Sequence, residues 1–403
     1  MTDRFKPTDE KDVEALVAYA LAEKTPLELW SGGSKRSIGR PPQTEYGVDL
    51  SALSGINDYD PAELVLTAKA ATPLAEIETL LEENNQMLAF EPADLGPLLG
   101  EEAGKGTLAG LYGTNFAGSR RLQAGAVRDH ALGIRAVSGR GEIFKSGGRV
   151  MKNVTGYDLT KGLSGSWGTL AVLTELTFKT LPKPETATTL VVHGLTPETA
   201  AIAMAAAMGS SSEVSGAAHL PADVAGGFGV DGLGAGATVM RLEGFGPSVE
   251  ARAGMLAEVL RPFGLAERLD APTTATLWRA ISCARPFAAD TSLPLWRISV
   301  APTDGPAVAA AVKAQAPGAK AIFDWAGGLV WLMLPGGDPM VEAVRGAVAE
   351  AGGGHATLIR ADAGTRAAVP VFQPQPAALA NLARRLKDQF DPAGILNPGR
   401  MGR

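Results

Sequence analysis

The sequence predicts an α+β protein with more than one domain. Helical and strand patterns interleave along the 403 residues, and neither prevails. The texture changes at Leu181-Pro182-Lys183-Pro184, beyond which alanine-rich strand–helix pairs take over. Glycine is in excess, 49 residues in a chain where ~7% is usual. Such an excess marks sharp turns, or places where backbone comes close to something. The length alone suggests about two or three domains.

Residues 8–23 read as a helix. Thr8 is its N-cap, Asp9 and Glu10 lie in its first turn, and Val13, Leu16, Val17, Ala20 and Leu21 share one face. Pro26 opens the strand Leu27–Trp30, which runs into the loop Ser31-Gly32-Gly33-Ser34-Lys35. Residues 63–70 alternate as a half-buried strand does. Thr72 and Pro73 then cap and start a helix reaching Glu83. The run 92–125 is glycine-rich with little helical periodicity. Residues 132–138 and 142–145 form a hairpin about Gly139-Arg140-Gly141, and 168–180 is a further strand. Beyond the boundary, TTLVVHG (188–194), ATVMRLEG (237–244), LWRISV (295–300) and GLVWLML (328–334) each precede a helix. The last of these helices is expected to take Asp338 and Pro339 as N-cap and first residue. Four such pairs suggest a ferredoxin-like split β-α-β arrangement used twice. A closing helix spans 376–390.

Several function classes are disfavoured. A net charge of −6 and the lack of a long basic run argue against nucleic-acid binding. A single cysteine, Cys283, excludes an internal disulfide framework and any Cys-ligated iron–sulfur cluster in this chain. His130, His193, His219 and His355 stand singly, so no metal site is expected. No apolar stretch of about 18 residues suggests a membrane span, and the charged start shows no signal peptide, which points to the cytoplasm. There is no G-x-G-x-x-G after a strand and no G-x-S-x-G elbow. GEEAGKG (100–106) has the wrong spacing for a P-loop.

Four glycine-rich segments remain. Residues 31–35 form either an ordinary turn or a cradle whose backbone N–H groups face an anion. TLAGLYGTNFAGSRR (107–121) is either a surface loop or a lining for a flat ligand that tolerates no large side chain. GLSGSWGTLAVL (162–173) enters a strand, with Gly165, Ser166 and Gly168 able to present backbone to a ring edge. DPAGILNPGRM (391–401) is either a tidy terminus or a plug that returns Asn397 and Arg400 to a site. In the second half, Arg279, Arg285 and Arg297 lie among Trp278, Trp296, Trp325 and Trp331, where an arginine could anchor a small carboxylate.

Taken in order, these pieces resemble one family. The Gly-Gly-Ser loop at 31–35, TLAGLYGTNFAG at 107–118, Arg128-Asp129 before a strand and G-x-G turn, GGRVMKNVTGYDLTKGLSGSWGTLAVLTE at 147–175 and FDPAGILNPGR at 390–400 look like the vanillyl-alcohol-oxidase, or p-cresol methylhydroxylase (PCMH)-type, FAD family. Within it, the chain is most similar to the branch of glycolate oxidase and D-lactate dehydrogenase, and there to the small FAD-binding E-type subunits of glycolate oxidase. The match covers 1–183 and 376–403 well, and the middle only in general shape.

The resemblance implies a PCMH-type FAD-binding domain over 1–183, in subdomains of about 1–57 and 58–183. It implies a ferredoxin-like α+β cap over 184–375, and a helix and turn at 376–403 that return to the FAD domain. It implies noncovalent FAD, since residues 30–40 hold neither histidine nor cysteine for a tether. By motif, Ser31, Gly32, Gly33, Ser34 and Lys35 would cradle the pyrophosphate. Thr107, Gly110, Thr114, Asn115, Ala117, Gly118 and Arg120 would lie along the cofactor. Gly168, Leu170 and Val172 would offer backbone, and Asn397 and Arg400 would approach from the terminus. The implied activity is oxidation of glycolate, a 2-hydroxy acid, to glyoxylate, with electrons passed to a catalytic FAD subunit and an Fe–S subunit. The His-x-Gly-Asp-Gly-Asn motif that catalytic members carry in the cap is missing here. No catalytic residue is therefore assigned. Two alternatives stay open: a fold-retaining structural subunit, and a self-sufficient 2-hydroxy-acid dehydrogenase using Arg279, Arg285 or Arg297.

Overall fold

The computed structural model describes residues 3–149 and 156–402. Residues 150–155 of the GGRVMKNVTGYDLTKG motif lie outside the described residues.

Three short strands come first: β1 (Asp3–Phe5), β2 (Leu27–Trp30) and β3 (Tyr46–Asp49). β3 lies between the other two and runs parallel to both. The helix Glu10–Ala22 covers them with Val13, Val17 and Ala20. Its cap is Asp9, whose carboxylate accepts from Asp12 N at 2.9 Å, and not Thr8. The Thr8 hydroxyl instead donates to Asp12 at 2.6 Å.

A second sheet is antiparallel throughout, in the order β4-β5-β9-β7-β8. Its strands are β4 (Ile56–Asp60), β5 (Val65–Lys69), β7 (Ala131–Ser138), β8 (Ile143–Gly147) and β9 (Ala171–Lys179). The small pair β6 (Gln86–Met87) and β10 (Leu181–Pro182) closes its end. β9 begins three residues later than the alternation suggests, because Gly165, Trp167 and Gly168 all take left-handed backbone. The glycine-rich run conceals a helix, Leu108–Thr114, capped by Thr107. Small residues hide its period, but Leu108, Leu111 and Tyr112 are buried on its inner face.

The third part is one eight-stranded sheet built from two ferredoxin-like units. β11 (Thr186–His193), β12 (Gly216–Leu220), β13 (Ala237–Gly244) and β14 (Glu267–Leu269) pair in the order β14-β11-β13-β12. β15 (Leu295–Ser299), β16 (Lys320–Asp324), β17 (Leu329–Met333) and β18 (His355–Arg360) pair in the order β16-β17-β15-β18. The two units mirror one another and join edge to edge at His219 and Phe323. Helices Pro197–Met208, Gly246–Leu260, Gly305–Gln315 and Val341–Glu350 cover one face. The last of these starts at Val341, after Met340 in left-handed backbone, and not at Pro339. Asp338 still caps it indirectly, accepting from Met340 N at 2.8 Å.

One apolar cluster ties the lobes together. It joins Ile38, Leu95, Leu98 and Trp167 of the first lobe to Trp278, Trp325 and Trp331 of the cap. A buried charge network seals the same joint. Arg120 forms a two-pronged pair with Glu243, Arg241 donates to Glu91 at 2.6 Å, and Glu91 accepts from Arg120 N at 2.6 Å. Beside it, Ser119 donates to Asp324 at 2.7 Å, and the Trp325 indole donates to Gly118 O at 2.9 Å.

Candidate functional site

A pocket lies between the first two sheets. Its apolar lining includes Leu29, Trp30, Leu50, Ala171, Val172 and Leu173. The loop Ser31–Lys35 contributes all but Gly32, with Thr107 and Gly110 at the start of the helix Leu108–Thr114. Thr114, Trp167, Gly168, Asn397 and Arg400 complete it.

The loop leaves β2 because residues 31–35 are too small and polar to continue it. Ser31 Oγ and Thr107 Oγ1 are 2.6 Å apart, which ties the loop to the helix cap. Gly32 is required by its back, where a Cβ would stand 1.8 Å from Lys105 O. Gly33 is required by conformation, with φ +76° and open space around it. Glycine at 32 therefore serves the contact with Lys105, rather than bare access for a ligand. The neighbouring Arg36 is held by a two-pronged pair with Glu28 and stacks 4.2 Å from the Trp30 ring centroid.

Among the described residues, Lys35 and Arg400 face the pocket with no carboxylate partner. Burial pushes the Lys35 ammonium down to about 8, and its nearest hydrogen-bond partner is the Ser34 hydroxyl at 3.4 Å. Burial also pushes Arg400 down to about 10. Arg400 Nη2 donates to Lys35 O at 3.0 Å and Arg36 O at 3.2 Å, while its buried Nη1 has no partner. Desolvated donors of this kind are costly unless an anion completes them. Asn397 bridges two parts of the lining: Leu29 N donates to its Oδ1 at 2.8 Å, and its Nδ2 donates to Trp167 O at 2.9 Å. Gly168 admits this contact, since a Cβ there would meet Asn397 Nδ2 at 2.8 Å.

The predicted residues thus divide. Ser31, Gly33, Ser34, Lys35, Thr107, Gly110, Thr114, Gly168, Val172, Asn397 and Arg400 line the pocket together, with Gly32 directly behind its loop. Five others do not line it. Asn115 ends the helix in left-handed backbone and accepts from Arg128 N at 3.1 Å. Ala117 and Leu170 are in the core of the second sheet. Gly118 packs on Glu91, where a Cβ would lie 2.7 Å away, and Arg120 belongs to the joint with the cap. Sequence reasoning missed Trp30, Leu50 and Trp167. Trp30 directly precedes the 31–35 loop and Trp167 lies within the 162–173 segment, whereas Leu50 carries no signal along the chain.

Of the cap arginines, Arg279 and Arg285 border a separate cleft between the lobes. Arg297 lies 4.8 Å from the Phe116 ring centroid, 4.9 Å from Trp325 and 5.8 Å from Trp331. Arg121 lies 4.9 Å from Trp325 as well. Among the described residues the Arg297 guanidinium makes no hydrogen bond or ion pair, and burial pushes it down to about 9. Cap histidines do not converge: His219 is held down to about 4 by burial and bonds Thr238, while His193 pairs with Glu267. Among the described residues, no three metal-ligating side chains gather.

The pocket fits FAD. It offers Lys35 and Arg400, free backbone at 31–35 for a pyrophosphate, and apolar lining for an adenine-sized ring.

Residues 4–147 match the FAD binding domain family. The chain is 37% identical to glycolate oxidase subunit GlcE of Escherichia coli over 390 residues, 96% of this chain and 95% of that one. It is 31% identical to D-lactate dehydrogenase of Archaeoglobus fulgidus over 188 residues, 46% of this chain and 40% of that one. In fold it is similar to substrate-bound p-cresol methylhydroxylase, with a TM-score of 0.74 and 16% identity over 99% of this chain and 88% of that one. With a likeness that runs from end to end of both chains, this FAD-binding protein belongs to the family of the glycolate oxidase subunit GlcE.

Proposed function

We propose that this chain is the FAD-binding subunit of an oxidoreductase complex that converts glycolate, or a close 2-hydroxy acid, to the 2-oxo acid. The observation that carries the reading is the pocket with two unpaired cations, Lys35 and Arg400, in a chain aligned throughout with GlcE. Bound FAD supplies a two-electron acceptor for such an oxidation. Lys35 and the backbone of 31–34 bind the pyrophosphate. Trp30, Leu50 and Val172 enclose the adenosine end. Asn397 orients the 165–168 turn, and Arg400 completes the inner end. Asn115, Ala117, Gly118, Arg120 and Leu170 support the lining from behind. In this reading residues 1–183, divided near 57, form the FAD domain, 184–375 the cap, and 376–403 the returning terminus. FAD is held noncovalently.

The partners are a catalytic FAD subunit and an Fe–S subunit. Cys283 is the sole cysteine, so any cluster would be ligated by another chain. No helix among the described residues is long and apolar enough to cross a membrane. We place the complex in the cytoplasm, in glyoxylate metabolism. The test is co-purification of the tagged chain with flavin and iron assays. Flavin with this chain, and iron only when partners accompany it, is the expected result.

A second reading is favoured by one observation, the unpaired Arg297 among aromatic rings. It has this chain oxidise a 2-hydroxy acid itself, with Arg297 binding the carboxylate. Dye reduction by glycolate and the isolated holoprotein would support it, and turnover only in the assembled complex would exclude it.

A further inference from the structure

Resting on the reading that the pocket holds FAD, we infer that Trp167 is a partition that closes the pocket from the cap interior. The cofactor of this chain is then screened from small anionic substrates on the cap side. The indole lines the pocket. The same ring packs in T-shaped contact with Phe116 at 5.7 Å and with Phe372 at 5.2 Å, centroid to centroid, and neither of these lines the pocket. Its exposure is 8%. Beyond Phe116 comes Arg297, then Trp325 and Trp331. Any solute moving between Arg297 and the pocket would have to pass this aromatic layer.

The backbone is built to keep the ring there. Trp167 has φ +55°, a conformation that a bulky side chain rarely adopts. Such strain persists only where the surroundings over-determine it, and it clusters at ligand sites. Here both backbone groups are pinned: Trp167 N donates to Gly113 O at 2.9 Å, and Trp167 O accepts from Asn397 Nδ2 at 2.9 Å. Gly165 and Gly168, both with positive φ, bracket it. The Arg400 guanidinium lies 5.9 Å from the ring on the pocket side.

The consequence concerns the division of labour. A 2-hydroxy acid held by Arg297 would not reach a flavin behind Trp167. Oxidation then falls to another subunit, and the flavin here exchanges electrons by another route.

The test uses the full-length holoprotein and dithionite, a small anionic reductant, and follows bleaching of the flavin absorbance band. Trp167→Ala should bleach several-fold faster than wild type, and Trp167→Phe should stay near it. Phe372→Ala opens the layer from the far side without touching the pocket lining, and should also bleach faster. In a separate measurement, adding FAD to apoprotein should quench emission in wild type more than in Trp167→Phe. Bleaching near the wild-type rate in both alanine variants overturns the partition. If wild-type apoprotein takes up no FAD at all, the reading of the pocket falls instead. If Trp167→Ala does not fold, Phe372→Ala decides alone.

Discussion

The FAD lobe and the cap use the same residues for opposite ends. In the cap, glycines make room for packing. Gly305 passes where a Cβ would stand 2.0 Å from Gly327 O, and Gly216 lies under the Trp278 ring. Its buried charges Arg241 and Glu243 are matched with partners, and its other buried cation, Arg297, lies among aromatic rings with no glycine lining beside it. In the FAD lobe, glycines shape a lining, and Lys35 and Arg400 face it without counter-charge. Close-packed glycine alone therefore does not mark a site. Glycine beside a desolvated, unpaired cation does, because the missing partner is what a ligand supplies.

This contrast can be broken at the pyrophosphate loop, where the largest effect is expected. Gly32→Val has no space behind it and should abolish FAD occupancy, read as the flavin-to-protein absorbance ratio. Gly33→Ala, with open space but positive φ, should cost only roughly 1–2 kcal/mol in loop conformation and keep part of the flavin. Equal occupancy in both would refute the assignment of the loop.

The cap side of the comparison is sharpened by Glu243→Ala. Removing one partner of a buried pair costs about 3–5 kcal/mol, measurable by urea unfolding. Burial by itself would raise the Glu243 carboxyl, but Arg241 and Arg120 outweigh it and hold it at about 2. Its folded value is thus below the ~4.3 of an unfolded glutamate. That stability is present above pH ~4.3 and lost as pH falls toward 2. Wild type should show this acid loss, and Glu243→Gln should not.

Lys35→Met should weaken FAD binding by about 1.5–3 kcal/mol, the scale of a charge-assisted hydrogen bond, measured by titration of apoprotein. The pH slope has the same sign as that of Glu243, since both folded values are depressed, but for Lys35 it marks a burial penalty relieved by deprotonation rather than an ion pair lost. The folded value near 8 lies below the ~10.4 of an unfolded lysine, so the unfolded state holds more protons between them. Apoprotein stability should therefore rise from pH 8 toward 10.4 in wild type, and stay flat there in Lys35→Met. The smallest change is expected at the closing helix Ala377–Phe390. Leu382 there is 60% exposed, and Leu382→Ser should shift the isolated chain by no more than about 0.5 kcal/mol in thermal unfolding.

Much of the fold was legible because its signals are local. The alternation of 63–70, the strand read at 188–194 and the doubled β-α-β pattern follow from nearest neighbours along the chain. β12, β14, β16 and β18 were not read. Each is short, and each is stabilised by partners distant in sequence, as Ala218 is by Val239 and Ala356 by Ile298. Propensity carries little information for such strands.

The site divides in the same way. The sequence by itself determined which loops must be small, from Gly32-Gly33 to Gly399, and the order of motifs that assigns them to FAD. Only the tertiary structure decided which charges lack partners and which residue closes the pocket. Lys35 loses water because the Leu108–Thr114 helix covers it, Asn397 reaches back 368 residues to Leu29, and Arg120 meets Glu243 across 123. Desolvation and pairing depend on what surrounds a group in space, and no window along the chain contains it.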